Sequence, residues 1–429
     1  MPRGARANGR FPQSISVEIQ PGNDQIVLLG MTFGLGVSTD GGNHFAWVCE
    51  DTLGYTGTFD PAYAIGTDGT LYASSFDGLR TSKDGGCTFP IHPDVTGPVV
   101  ADVDVGPDGH VFAAGSWDQA DGVWRSVNNG ASFTKTTLTS GKYSWWTTVA
   151  VEPVDGQRVY AAGYVIGLGS PDAGTITRAL IYRSDDGGDS WSPVDLSTVT
   201  FASDPSVEVR AVWPGDPNTF FITVIRDGGV GEALYRTDTG GTSFSKVLDV
   251  DNRIGTVLIT KDGSKVIVGG QSGVYISTDA GLTFPTHQDT PQLACAVERS
   301  DGTLLGGGAN WDPDFMALGT SPDGATWTSI FRFDGITGAL SCPSGTVQHD
   351  TCEDKFFTTV CPIAPTIAIC PQPDAGVGAD AGPTPDGGGG GGGKGCCESD
   401  VGGGQSSAAL ALLVLVALLR RRRSARESR

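Results

Sequence analysis

Residues that favour helices are scarce in this chain. Only 3 methionines occur in 429 residues, glutamate and lysine are sparse, and no apolar repeat of helical period runs through the sequence. A helical or mixed α/β body is therefore excluded. The 5 histidines never sit at metal-ligand spacing, and no C-x-x-C pair or D-x-D-x-D-G loop occurs. Neither a zinc site nor an EF-hand-type calcium loop is expected, and no cofactor or metal is called for. Basic residues are also few: 28 Lys and Arg against 48 Asp and Glu give a net charge of −20. Some of those positive charges cluster at the two ends, as Arg3, Arg6 and Arg10 and as Arg420 to Arg423, so the body is more acidic than the total charge shows. It repels phosphate backbones, which argues against nucleic acid as a partner. Long hydrophobic runs are missing except for Ala408–Leu419.

Glycine is abundant, with 64 residues, and it recurs at fixed places in one repeated motif. Copies read Ser38-Thr-Asp40-Gly-Gly42-Asn-His-Phe45, Ser82-Lys-Asp84-Gly-Gly86-Cys-Thr-Phe89, Ser126-Val-Asn128-Asn-Gly130-Ala-Ser-Phe133 and Ser184-Asp-Asp186-Gly-Gly188-Asp-Ser-Trp191. Thr237 to Phe244, Ser277-Thr-Asp279-Ala-Gly281-Leu-Thr-Phe284 and Ser321-Pro-Asp323-Gly-Ala-Thr-Trp327 complete the set. Starting points lie 40 to 58 residues apart, the length of a four-stranded propeller blade. The hydroxyl and the carboxylate two residues on can bond the turn's own backbone, the glycine supplies positive φ, and the aromatic turns inward as a plug. The fifth copy has Thr239 in place of the acid and the seventh is one residue short, so both are expected to be irregular.

A second repeat runs out of phase with the first. Turns at Gly22-Asn23-Asp24, Asp68-Gly69, Asp108-Gly109, Asp155-Gly156, Asp216-Pro217-Asn218, Asp262-Gly263 and Asp301-Gly302 sit between alternating apolar runs, a hairpin signature. Seven hairpins and seven later turns predict an all-β protein, a seven-bladed β-propeller of four-stranded antiparallel blades over 10–334.

The Ser-x-Asp-x-Gly-x-Thr-Trp pattern resembles the Asp-box (bacterial neuraminidase repeat). The resemblance makes Asp40, Asp84, Asn128, Asp186, Asp279 and Asp323 structural turn residues rather than catalytic ones. Asp-box propellers include sialidases and other glycoside hydrolases, and also non-enzymatic peptide binders.

Beyond the propeller, 335–370 is too short for a core of its own and reads as a cysteine-rich cap. Excluding Cys396 and Cys397, the cysteines are Cys49, Cys87, Cys295, Cys342, Cys352, Cys361 and Cys370, in keeping with an oxidising compartment. The odd count leaves one thiol over, and a bridge from Cys49 to Cys87 would staple adjacent blades. Residues 371–395 form a flexible Pro/Asp/Gly-rich tether. The stretch 396–429 holds Cys396, Cys397, the apolar run 408–419 and the arginine cluster, a processing signal or short transmembrane helix. This tail resembles the MYXO-CTERM sorting signal. The resemblance implies a partner intramembrane protease, cleavage and lipidation near Cys396 or Cys397, and display at the outer membrane of a Gram-negative bacterium; an ordinary tail anchor is the alternative. Residues 1–9, with Ala5-Arg-Ala7, read as the remnant of a signal peptide.

Loops joining second and third strands vary most, and they gather on the face opposite the repeated turns. That face carries Trp117, Asp118, Trp145, Trp146, Arg178, Arg226, Glu232, Trp311 and Asp312, a candidate ligand surface. With no Tyr–Glu nucleophile pair apparent and no catalytic residue assigned, the preferred expectation is a non-catalytic binding or adhesion module for glycan or protein. A sialidase-like or other glycoside hydrolase is the alternative, requiring two convergent carboxylates.

Overall fold

A computed structural model describes residues 11–116, 121–140, 144–167, 176–202, 205–226, 231–364, 366–367 and 369–370. Each of seven successive chain segments folds into one up-and-down antiparallel sheet of four strands. Blade 1 comprises Ser14–Gln20, Asn23–Met31, Gly34–Ser38 and Phe45–Val48, and blade 2 Tyr63–Ile65, Leu71–Ser75, Gly78–Ser82 and Ile91–Thr96. Blade 3 comprises Val99–Val105, Val111–Ser116, Gly122–Ser126 and Thr134–Lys135, and blade 4 Ser144–Val151, Val159–Ile166, Ile176–Ser184 and Ser192–Pro193. Blade 5 follows with Val207–Trp213, Asp216–Ile225, Glu232–Thr237 and Ser245–Val250. Blade 6 is Ile254–Ile259, Val266–Gly270, Gly273–Ser277 and Thr286–Gln288; blade 7 is Leu293–Glu298, Leu304–Gly308, Leu318–Ser321 and Thr328–Phe331. The first strand of each blade packs beside its neighbours around a central axis, which makes the protein the seven-bladed propeller the repeats predict.

The repeated turns hold themselves together as their side chains dictate. In blade 1, Gly42 N–H donates to Ser38 Oγ at 2.9 Å, while Asn43 and His44 N–H donate to Asp40 Oδ1 at 3.1 and 3.0 Å. Blades 2, 3, 4 and 6 repeat the hydroxyl clamp on Gly86, Gly130, Gly188 and Gly281. The fifth turn departs from expectation: Thr239 Oγ1 accepts Ser243 N–H at 3.1 Å, so a hydroxyl fills the carboxylate's place and the turn stays regular. The seventh is tighter, with Ser321 Oγ receiving Gly324 N–H three residues on instead of four. One hairpin also shifts. In blade 5 the turn centres on Pro214 and Gly215, whose φ of 73° needs glycine, and Asp216 already belongs to the next strand.

Because every blade is built from contiguous sequence, no strand is shared to close the ring. Closure relies instead on contacts between the ends. Gln13 bridges Ala309, Ser14 Oγ donates to Ala317 O at 2.6 Å, and the Arg299 guanidinium donates to Gly41 O. The chain then crosses from blade 7 to blade 1, where Ile336–Ala339 pairs in parallel with Phe45–Val48 and covers that blade's open outer edge. Phe333 meets Phe33 edge-on at 5.0 Å, and Phe331 meets Phe45 at 4.6 Å, in a core that spans both blades.

Cysteine pairing corrects the expected staple between blades. Cys49 bonds Cys352, Cys87 bonds Cys342, Cys361 bonds Cys370, and Cys295 is the buried thiol left over. The crossing strand brings the segment after it over blades 1 and 2, so each blade cysteine meets a cap cysteine. Gln348 completes this junction: buried, it accepts Cys49 N–H at 3.2 Å and donates to Trp47 O at 2.8 Å. Each long bridge closes a loop of more than 250 residues. Removing one, as in the Cys49→Ser/Cys352→Ser double variant, is expected to cost about 2–5 kcal/mol. Urea denaturation against the oxidised parent checks this, and an unchanged midpoint would contradict it.

Among the described residues no helix is long and apolar enough to cross a membrane. Residues 1–9 and the tail, including Cys396, Cys397 and the run 408–419, lie outside the described residues.

Candidate functional site at the mouth of the channel

An inner strand bonds its blade along one edge only, and its other edge turns unpaired amides toward the axis. Those amides must be satisfied. Side chains of the preceding blade do so. Asp102 Oδ2 accepts Val149 N–H at 2.9 Å and Asp104 Oδ2 accepts Val151 N–H at 2.8 Å. Thr148 Oγ1 accepts Val209 N–H at 3.3 Å, and Glu232 accepts Ile254 N–H at 2.9 Å. Strand alternation explains why polar groups stand here: Val103, Val207 and Val209 turn into the core, leaving Asp102, Asp104, Glu208 and Arg210 on the axis.

Where the inner strands begin, the channel opens into a cavity of about 370 Å³ on the face opposite the repeated turns. Its wall carries Glu208, Arg210, Glu232 and Arg253, with Gln13, Asp60, Gln271 and Gln292 around them. Arg210 pairs with Glu208 at 2.8 Å and Arg253 with Glu232 at 3.2 Å. Glu232 is buried while Arg253 is half exposed, so the pair has a dry carboxyl and a wet cation. Burial first, and then the charge of Glu208, raise the Glu232 carboxyl above the usual range, against the pull of Arg210 and Arg253. The arrangement is two neighbouring carboxyl groups, each paired with an arginine, the drier of them raised above the usual range, at the wall of the cavity.

Below the mouth, Glu18 of blade 1 faces Asp104 and Asp102 of blade 3. Burial in the channel and mutual repulsion push Glu18 up to about 8; burial, chiefly, lifts Asp102 to about 7 and Asp104 to about 6. The repeated turns behave oppositely. Ser190 holds Asp186, and Ser277 and Thr283 hold Asp279, at about 2. Among the described residues, no three His, Cys, Asp or Glu side chains converge as a metal site.

Of the nine sequence candidates, the structure brings Glu232 into the mouth and sets Trp311 and Asp312 on a loop beside it. Trp311 is half-buried against the exposed ring of Phe11, with centroids 5.7 Å apart. Trp146 is fully buried in the wedge between blades 3 and 4, edge-on to Tyr182 at 5.7 Å, and Trp145 is buried in a separate cluster with Val99, Tyr164 and Ile176, which corrects the expectation that both rings lie open on the ligand face. Arg178 stands exposed over a separate cavity on the outer side of blade 4. Arg226 is held away from the mouth by Asp251 at 3.0 Å and Asp249 at 3.7 Å. Trp117 and Asp118 lie outside the described residues. Sequence reasoning missed Glu208, Arg210 and Arg253. The alternation Val207-Glu-Val-Arg-Ala-Val212 signals the first two, since charges spaced by two on an inner strand must face the axis.

No family model matches the chain. A xyloglucanase of Hypocrea jecorina (strain QM6a) is 26% identical over 305 residues, 61% of this chain and 33% of the relative. The chain thus spans about a third of the length of the curated relative it matches. Among solved structures, a GH74 enzyme from Niastella koreensis superposes with a TM-score of 0.50 at 14% identity, covering 78% of this chain and 60% of that one. The GH74 xyloglucanase from Xanthomonas campestris gives 0.48 at 14%, covering 78% and 61%. The preference for a non-catalytic binding or adhesion module is overturned by the xyloglucanase match, which favours the hydrolase alternative.

One consequence concerns stability against pH. The raised channel carboxyls favour the folded state while protonated. Their contribution is complete below about pH 4 and is lost as pH rises through 6 to 8, because the unfolded chain releases those protons first. Asp186 and Asp279 contribute above about pH 4 and lose their effect as pH falls toward 2. Thermal melts are expected to show greatest stability on the acid side of neutrality, with a decline toward pH 8 that Glu18→Gln flattens. A parallel decline in that variant would contradict the channel assignment.

Proposed function

We propose that this chain is a glycoside hydrolase acting on a polysaccharide of the β-glucan type, with its reacting centre at the channel mouth. The observation that carries the proposal is the buried, raised carboxyl of Glu232 beside the arginine-paired Glu208. Sequence similarity to a xyloglucanase supports the polysaccharide class. Glycosidic cleavage needs one carboxyl that keeps its proton and one carboxylate that does not. Glu232 delivers its proton to the glycosidic oxygen as the bond to the anomeric carbon breaks. Glu208, ion-paired to Arg210, takes a proton from a water whose oxygen bonds to the anomeric carbon from the opposite side as the glycosidic bond breaks. Arg253 stabilises Glu232 once it is ionised.

Glu232→Gln keeps the shape and removes the acid; Glu208→Gln removes the base. Each is expected to lower reducing-end release from soluble xyloglucan or mixed-linkage β-glucan by about 100-fold or more. Retention of parental activity in both variants, with folding confirmed by circular dichroism, excludes this centre.

The repeated turns are proposed as Asp-boxes, and the tail as a MYXO-CTERM-like sorting signal. Tether, Cys396, Cys397, apolar run and arginine cluster support an exported protein held at the cell surface. Intact mass of surface material is expected to lack the arginine-rich end; recovery of 420–429 would contradict cleavage.

A further inference from the structure

The loop joining the second and third strands of blade 7 does more than cover the sheet. It presents Trp311 and Phe315, and the chain before blade 1 lays Phe11 against Trp311. Phe11 is 77% exposed and Phe315 41% exposed, large apolar surfaces left in water. Phe315 sits at φ +45°, a conformation that penalises a bulky side chain and persists only where surroundings impose it. Those surroundings are specific. Phe315 N–H donates to Trp311 O at 2.8 Å, Ser329 Oγ donates to Phe315 O at 3.1 Å, and the Arg332 guanidinium lies 5.0 Å from the Phe315 ring. Asp314 Oδ2 accepts Gln292 N–H at 2.7 Å, anchoring the loop to the start of the inner strand.

The same anchors join this aromatic shelf to the mouth. Gln292 lines the cavity, and so does Gln13, two residues from Phe11 and bridged to Ala309. We infer that Phe11, Trp311 and Phe315 form a sugar-stacking subsite of the proposed hydrolase, holding the polysaccharide a short way along from the bond at Glu232. The occupant is a pyranose ring with an equatorial, flat face, as in a β-linked glucan backbone. Its axial C–H groups present the weak positive edge that an aromatic face attracts, and no ionic group is needed. The inference rests on the hydrolase reading for its substrate, and a binding measurement tests it separately.

Native gel electrophoresis of the full chain through soluble xyloglucan is the experiment, alongside reducing-end release by the parent. Phe11→Ala and Trp311→Ala are expected to weaken retardation about 3- to 10-fold each, the size of one aromatic contact, while Trp311→Tyr keeps most of it. Phe11→Ala removes an exposed ring, so a parental melting temperature keeps the test interpretable if Trp311→Ala folds poorly. Unchanged retardation in Phe11→Ala and in folded Trp311→Ala overturns the subsite, whatever the activity. Weakened retardation together with no reducing ends from the parent supports the shelf and removes the hydrolase. Reducing ends with unchanged retardation do the reverse.

Discussion

Ring closure is the constraint on which the rest of this propeller depends. Seven wedge-shaped sheets can surround an axis only if the last stays against the first, and here no shared blade enforces that contact. The work falls to one crossing strand, Ile336–Ala339, laid in parallel on the outer edge of blade 1, and to two long-range disulfides at its far side. Paired aromatic rings on blades 1 and 7 give the seam a core of its own. The cap is therefore part of the closure, since Gln348 and Cys352 reach back to residues at the end of the first blade. Exposed edge amides are hidden in the same stroke.

Closure also creates the site. Once the inner strands ring the axis, their unpaired amides need acceptors, and carboxylates supply them at Asp102, Asp104 and Glu232. Acids placed to satisfy backbone groups inevitably lose solvent and crowd one another, which raises their pKa values. A structural requirement thus leaves carboxyls of raised pKa lining a channel. At the mouth, where Arg210 and Arg253 join and a cavity opens, the same arrangement is the proposed reacting centre. Carboxylates in the repeated turns, at the other end of the molecule, stay wet and bonded to short hydroxyls, and remain strong acids.

Much of this was legible in the residues. Two independent repeats, one ending in an aromatic plug and one centred on Asp-Gly, give the blade count because each motif has a local backbone reason to recur. Thr239 was misjudged because the turn asks only for an oxygen acceptor, and a hydroxyl serves. Cysteine partners were unreadable: Cys87 meets Cys342 through a crossing strand whose docking is a tertiary event. Trp145 and Trp146 resemble binding residues because the start of an inner strand lies near the loop face; two separate packing clusters, invisible in one dimension, bury them. Glu208 and Arg210 were encoded in a period-two alternation and overlooked because charge on an inner strand resembles an ordinary solvated face.

A crystal structure of the Glu232→Gln protein with a bound xyloglucan oligosaccharide shows whether the reacting centre lies where the channel opens. A glycosidic oxygen is expected within hydrogen-bonding reach of residue 232, with a flanking sugar ring over Trp311. Oligosaccharide on the face of the repeated turns, or in the outer cavity of blade 4 with the mouth empty, is the opposite result.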